Sequence, residues 1–219
     1  MSAKNPILQI ENLHRSYGYK PVLKGVDLTL LRSEVVCLMG ENGAGKTTLI
    51  DTVLSRLRPH VGTIAYNGKL VESPEDRSLL LSRTGVIGHD AGIFVDLTAF
   101  ENLALFYRAY FGSLTVAGQE RIESLLDRAG LKHRQHELTR TFSRGMRQKL
   151  GICRMMLHEP DILFLDEPLN ALDTSGVKLF FELIAEFRQG LCALVVTHDA
   201  GPFRKIANRF VRLTDGRIN

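Results

Sequence analysis

Glu34-Val35-Val36-Cys37-Leu38-Met39-Gly40-Glu41-Asn42-Gly43-Ala44-Gly45-Lys46-Thr47-Thr48 is the stretch that decides the fold. Its first six residues form a short apolar run of the kind found in strands covered on both faces. Gly40 to Thr47 then match G-x-x-x-x-G-K-[ST], and Lys46 to about Leu57 read as a helix. A strand, a glycine-rich turn and a helix in that order make a phosphate cradle. Glycines at 40, 43 and 45 let the backbone of Gly40, Glu41, Asn42, Gly43, Ala44 and Gly45 wrap an anion without Cβ clashes. Successive N–H groups and the helix N-terminus then face the negative charge. In this pattern Lys46 reaches the β- and γ-phosphates, Thr47 places its hydroxyl on Mg²⁺, and Thr48 touches the α-phosphate.

Outward from the cradle, a second buried strand, Ile162-Leu163-Phe164-Leu165, runs into Asp166-Glu167-Pro168. Adjacent acids leaving an apolar strand cost free energy unless they are used. Asp166 is expected to support Mg²⁺ from behind its direct ligands, and Glu167 to polarise an attacking water. Residues 177–188 read as a helix leading to a third strand at 191–197. Residues 7–33 alternate apolar and polar positions, as antiparallel strands do. A hairpin is expected at 63–66 and 69–71 around Asn67-Gly68. Residues from about 97 to 157 read as mostly helical, and the tail carries a strand at 210–213 and a turn at Asp215-Gly216. Buried strands alternating with helices predict an α/β fold with a mainly parallel sheet. The N-terminal strands are expected to form an antiparallel β-subdomain. The stretch 97–157 is expected to be a helical subdomain inserted in a single domain spanning 1–219.

Composition bounds the function. The 219 residues are 44% hydrophobic and 24% charged, enough to bury a core, and the net charge is +4. That excess suits phosphate ligands or an anionic surface and is too small and too evenly spread to argue for nucleic-acid binding. The cysteines, Cys37, Cys153 and Cys192, are far apart and set among apolar neighbours. They build neither a disulfide framework nor a metal knuckle, which points to a reducing cytoplasm. The first residues lack a signal-peptide apolar region. No apolar run approaches the roughly 18 residues that span a bilayer. Work on a membrane therefore calls for another, spanning chain.

With these residues in place, the chain resembles an ATP-binding subunit of an ABC transporter, a P-loop NTPase family, over nearly its full length. A third mark is Thr141-Phe142-Ser143-Arg144-Gly145-Met146-Arg147-Gln148-Lys149, which is similar to the family signature Leu-Ser-Gly-Gly-Gln. Ser143 and Gly145 match, while Arg144 puts a cation where most relatives have glycine. The resemblance implies that Ser143, Arg144 and Gly145 face the γ-phosphate of ATP held by a second copy. A serine that merely caps a helix is the plain alternative. It also implies that Tyr17 stacks on adenine, with Tyr19 the near alternative, and that Leu172-Asp173 cross a dimer interface. His198, at the end of the third strand, is implied to contact the γ-phosphate. His89 takes the place of the family's usual glutamine.

The same resemblance implies an ATPase whose substrate is ATP and whose cofactor is Mg²⁺. Glu167, His198 and Lys46 carry the chemistry, with Thr47 and Asp166 at the metal. The partners implied are a second copy in a head-to-tail homodimer and integral membrane transporter subunits, with the chain peripheral on the cytoplasmic face of the inner membrane and no nucleic acid involved. The run Gly88-His89 through Asn102-Leu103 resembles the cytochrome c maturation, haem-exporter type of ATPase. The variant signature also occurs among multidrug, lipid and polysaccharide exporters, which leaves that alternative open.

Phe100, Phe106, Tyr107, Tyr110 and Phe111 crowd aromatics into one segment. Most are expected in the subdomain core, with Ile93, Phe94 and Phe100 the candidates for a groove rim that receives a membrane subunit. His133 and His136 read as a solvated face rather than a metal pair. Arg204, Lys205, Arg209 and Arg212 read as surface charge or a lipid-facing set. A GTPase should carry Asn-Lys-x-Asp, and none is present. An ATPase acting on DNA or ribosomes calls for insertions or fused units that do not fit in this length, and intact Glu167 and Lys46 argue against a subunit that binds ATP without turnover.

Overall fold

The computed structural model describes residues 5–54, 59–88, 90–186 and 190–219. They fall into two compact units: Met1–Thr84 with Asp161–Glu167 and Arg188–Asn219, and Gly85–Pro160 with Pro168–Phe187. The second is wider than the expected helical stretch 97–157, because flanking loops and a later helix pack with it.

In the first unit, β1 (Pro6–Tyr17), β2 (Lys20–Leu31), β4 (Val61–Tyr66) and β5 (Lys69–Leu70) form an antiparallel sheet in the order β2-β1-β4-β5. β1 buries Ile7, Leu8, Ile10 and Leu13, and register shifts in its pairing with β2 break the strict alternation expected of it. The Asn67-Gly68 turn joins β4 to β5 with both residues at positive φ, 49° and 77°. The second sheet contains β3 (Val35–Met39), β7 (Ile162–Asp166), β8 (Cys192–Val196), β9 (Arg209–Thr214) and β10 (Arg217–Ile218) in the order β10-β9-β3-β8-β7. β9, β3, β8 and β7 run parallel, and β10 returns antiparallel. Ile162 to Leu165 and Cys192 to Val196 are almost wholly buried. Each large apolar side chain so covered contributes about 1.5–3 kcal/mol. Because β3, β7 and β8 are parallel, their C-terminal ends share one edge, where ligands of open α/β sheets gather.

α1 (Lys46–Val53) follows β3 as expected, and the further residues 55–57 of the expected helix lie outside those described. α2 (Pro74–Ser82) and β6 (Thr84–Ile87) are additions to the sequence reading. α2 buries only Leu80, so its apolar periodicity is faint. Its start is nonetheless written in Ser73-Pro74-Glu75-Asp76: Ser73 and Asp76 form a reciprocal capping box with proline in the first turn.

The second unit holds α3 (Ala99–Phe111), α4 (Val116–Arg128), α5 (Arg144–Met156) and α6 (Thr174–Glu186). α6 starts three residues before the expected 177, and its expected end at 187–188 lies outside the described residues. α3 begins with a second capping box, Thr98 with Glu101. Fully buried Asn102 ties the loop before α3: its Oδ1 accepts from the Phe94 amide at 2.8 Å, and its Nδ2 donates to the carbonyls of Phe94 and Thr98 at 3.0 and 2.9 Å.

The structure corrects two expectations. α3 buries Ala99, Asn102, Leu103 and Ala104, while Phe100, Phe106, Tyr107 and Tyr110 are not fully buried and Phe111 is 53% exposed. These aromatics border the subdomain core instead of filling it: Phe106 and Tyr110 continue the helix face of Leu103, with the Tyr110 ring stacked 3.8 Å from that of His158, and Tyr107 packs against Gly118. Arg209 is a structural ion: its side chain pairs with buried Glu34 at 3.2 Å and donates to the Thr29 carbonyl at 2.6 Å. His133 and His136 are both exposed, and His133 sits in a short 3₁₀ turn, Lys132–Arg134.

Candidate functional site

In the first unit the loop from Gly40 to Gly45 links β3 to α1. Gly45 precedes α1 at φ 106°, and a Cβ there would lie 3.0 Å from Val22 Cγ1, so backbone conformation and packing both require glycine. Lys46 Nζ donates to the carbonyls of Gly40 and Glu41 at 2.8 and 2.9 Å, which folds the side chain back over the loop. Thr47 Oγ1 donates to Asp166 Oδ2 at 2.8 Å, joining the start of α1 to the end of β7. This hydroxyl–carboxylate pair suits Mg²⁺, which takes hard oxygen ligands and draws most of the rest from phosphate and water.

One residue on, Glu167 adopts φ 50°, a left-handed conformation that costs a non-glycine residue about 1–3 kcal/mol. It is over-determined by its neighbours. The Glu167 amide donates to the Val196 carbonyl at 2.9 Å. Its Oε1 accepts from the His198 amide at 2.8 Å and lies 2.9 Å from His198 Nδ1, and its Oε2 accepts from Thr197 Oγ1 at 3.3 Å. The strained backbone thus aims the carboxylate across the sheet edge at the end of β8.

That carboxylate, hydrogen-bonded to the imidazole and charged beside it, raises the His198 pKa above its ordinary 6.5. A group whose folded pKa is raised contributes stability that is complete below the unfolded value and fades as pH rises through the folded one. The ring is 70% exposed, so the contribution is small. The expected NMR titration of the His198 ring has its midpoint above 6.5 in the wild type and a lower one in Glu167→Gln. Equal midpoints would show that the pair does not form in solution.

In the second unit Ser143 caps α5: its Oγ accepts from the Met146 amide at 3.2 Å. Ser143 and Arg144 are exposed and Gly145 is half-buried. The plain alternative, a capping serine, is therefore present in the structure, and it leaves the other N–H groups of the first turn free of intrahelical partners.

A model of the ABC transporter family matches residues 23–170. The chain belongs to the ABC transporter family. It is 38% identical over 199 residues to the ABC transporter ATP-binding protein NatA of Bacillus subtilis, covering 90% of this chain and 79% of NatA. To the lipoprotein-releasing system ATP-binding protein LolD of Bacteroides thetaiotaomicron it is 32% identical over 222 residues, covering 97% of this chain and 99% of LolD. A solved structure of an ATP-binding subunit of an ABC transporter superposes with a TM-score of 0.89 at 30% identity, covering 97% of this chain and 88% of that one.

The α/β cassette fold is that of ABC ATPases, and this domain cleaves ATP to ADP and phosphate. The ABC cassette brings Lys46, Thr47, Asp166, Glu167 and His198 to neighbouring strand ends within one unit. Thr48 is half-buried in α1, with its carbonyl accepting from Thr52 Oγ1 at 2.6 Å. Tyr17 is 50% exposed at the end of β1, with the Arg15 guanidinium 5.7 Å from its ring centroid, and Tyr19 projects fully into solvent. His89 lies outside the described residues. Around it, Arg154 braces the loop by donating to the carbonyls of Val86 and Ala91 at 2.8 and 3.3 Å. Ile93 and Phe100 are half-buried and Phe94 is exposed, 5.9 Å from the Phe106 ring. No helix among the described residues is long and apolar enough to cross a membrane.

Sequence reasoning missed Thr197, whose hydroxyl engages Glu167 and also donates to the Asp199 carbonyl at 3.0 Å. A hydroxyl residue beside a strand-end histidine was the available signal. It also missed the grip of Lys149 on Asp173, for which the sequence carries no local sign.

Proposed function

We propose that this chain is the ATP-hydrolysing motor of a membrane exporter, working as a head-to-tail pair of copies docked on integral membrane subunits at the cytoplasmic face. The observation that carries the reading is the convergence of Lys46, Thr47–Asp166 and Glu167–His198 on one sheet edge. On binding, Lys46 exchanges the loop carbonyls for phosphate oxygens, with charge-assisted hydrogen bonds replacing neutral ones. Mg²⁺, held by Thr47 with Asp166 behind it, supplies charge neutralisation on the phosphates. Glu167 orients and deprotonates the attacking water, and His198 steadies the γ-phosphate. Ser143, with the first turn of α5, meets the same phosphate from the second copy, so ATP joins the copies and hydrolysis releases them. Tyr17 offers the adenine a stacking face, and Arg144 adds a cation beside the signature serine.

For the cargo we favour haem handling in cytochrome c maturation, supported by the resemblance of residues 88–103. An exporter of lipid-like cargo is the second reading, supported by the similarity to a lipoprotein-releasing ATPase. Tagged chain captured from solubilised native membranes is expected to carry an integral membrane protein that stimulates its ATPase activity. A Soret band in that complex marks haem, and extracted lipid without it marks the second reading. An ATPase recovered alone, at full rate, would overturn the motor role.

A further inference from the structure

Within the second unit, the helix that begins at Ser143 and the segment 168–173 are fastened together at several points. Gln148 Nε2 donates to the Pro168 carbonyl at 3.3 Å, near the start of the segment. In its middle, Ala171 takes a left-handed φ of 67°, and its carbonyl sits so close to Gly145 that a Cβ there would lie 2.7 Å away. At its end, Lys149 Nζ lies 3.0 Å from Asp173 Oδ1 and donates to Asp173 Oδ2 at 3.2 Å and to Ser175 Oγ at 2.6 Å. Asp173 Oδ1 in turn accepts from Ser175 Oγ at 2.9 Å and from the Gly176 amide at 2.8 Å, which caps α6. The Lys149 ammonium, with its hydrogen bond to Asp173 first among the causes, pulls the Asp173 carboxyl down to about 2, so the pair stays ionised.

The Lys149 side chain is only 12% exposed, whereas that of Asp173 is 66% exposed. A lysine held that deeply spends its donors on one neighbouring segment and has lost rotamer freedom to do so. Capping α6 does not explain it, because Asp173 and Ser175 serve that turn without a cation. What the lysine adds is an ionic tie at the far end of a segment that Gln148 and the close approach of Ala171 to Gly145 hold only at its start and middle.

We propose that Lys149 is a positioning residue that locks segment 168–173 to the Ser143 helix, so that both present to a second copy of this chain as one rigid surface. This rests on the two-copy reading above. The clamp preorganises the partner-facing surface and leaves the phosphate cradle of its own copy untouched.

The test uses the full chain with Glu167→Gln as background, and ATP-driven dimerisation read by light scattering across protein concentration. Adding Lys149→Met, which keeps the aliphatic stem, is expected to raise the dimerisation midpoint about tenfold, equivalent to about 1.4 kcal/mol. ATP affinity of the monomer should stay within about twofold, and Lys149→Arg should restore most of the loss. A purely structural lysine would instead lower the unfolding midpoint and ATP affinity together. An unchanged dimerisation midpoint in a folded Lys149→Met chain overturns the clamp. Should that variant not fold, Ser175→Ala carries the test: a midpoint raised about threefold supports the clamp and an unmoved one overturns it. If Glu167→Gln alone forms no ATP-dependent dimer, it is the two-copy reading that fails, which separates the two outcomes.

Discussion

Glu167→Gln is expected to slow ATP hydrolysis about a thousandfold while ATP binding stays intact, since a positioned general base contributes about 10²–10⁴ in rate. The substitution is nearly isosteric. The amide oxygen can still accept from the His198 N–H, and the amide nitrogen faces Thr197 Oγ1, which can accept in turn. The left-handed backbone at this position strains glutamine no more than glutamate, so the fold should survive. What disappears is the charge that takes a proton from water. Phosphate release and equilibrium ATP binding, measured on the same preparation, check the two halves of the expectation. Hydrolysis at the wild-type rate would remove Glu167 from the reaction and require another base on this sheet edge.

Lys46→Ala is expected to have the opposite profile, with ATP affinity falling about 100-fold, because hydrogen bonds to charged groups contribute about 1.5–3 kcal/mol each. The structure shows what the lysine gives up when phosphate arrives: two contacts to the carbonyls of Gly40 and Glu41. Those carbonyls are at the accessible loop and can turn to water, so the unfolding midpoint should change little. Calorimetric titration with ATP and a thermal melt distinguish this from general damage. Weak binding with an intact melt supports the cradle, and unchanged binding argues against it.

Distance along the chain separates the residues that sequence reveals from those it hides. Gly40 to Thr48 are contiguous, and their chemistry is a local backbone shape plus a helix start, so the residues announce themselves. Asp166 and Glu167 stand out because ionised groups end an apolar strand. α2 escapes a reading by periodicity because it buries a single leucine, although Ser73 and Asp76 mark its start. The aromatic segment misleads for another reason. Spacing shows which residues share a helix face, but how deeply each is covered depends on what packs there, and on α3 Ala99, Asn102 and Leu103 are buried while Phe106 and Tyr110 further along the same face are only half-buried.

The amino-acid sequence alone determined the phosphate cradle, the paired carboxylates, the alternation of buried strands with helices, and the resemblance to ABC ATPases. These rest on contiguous residues, or on burial that any compact fold of this chain must satisfy. Tertiary structure alone decided that Glu167 meets Thr197 and His198, that half-exposed Arg209 is the counter-ion of buried Glu34, and that Lys149 reaches Asp173. Those pairs are far apart in the chain. Hydrogen bonds and ion pairs act over a few ångströms, so only the folded path of the backbone selects which groups come within reach.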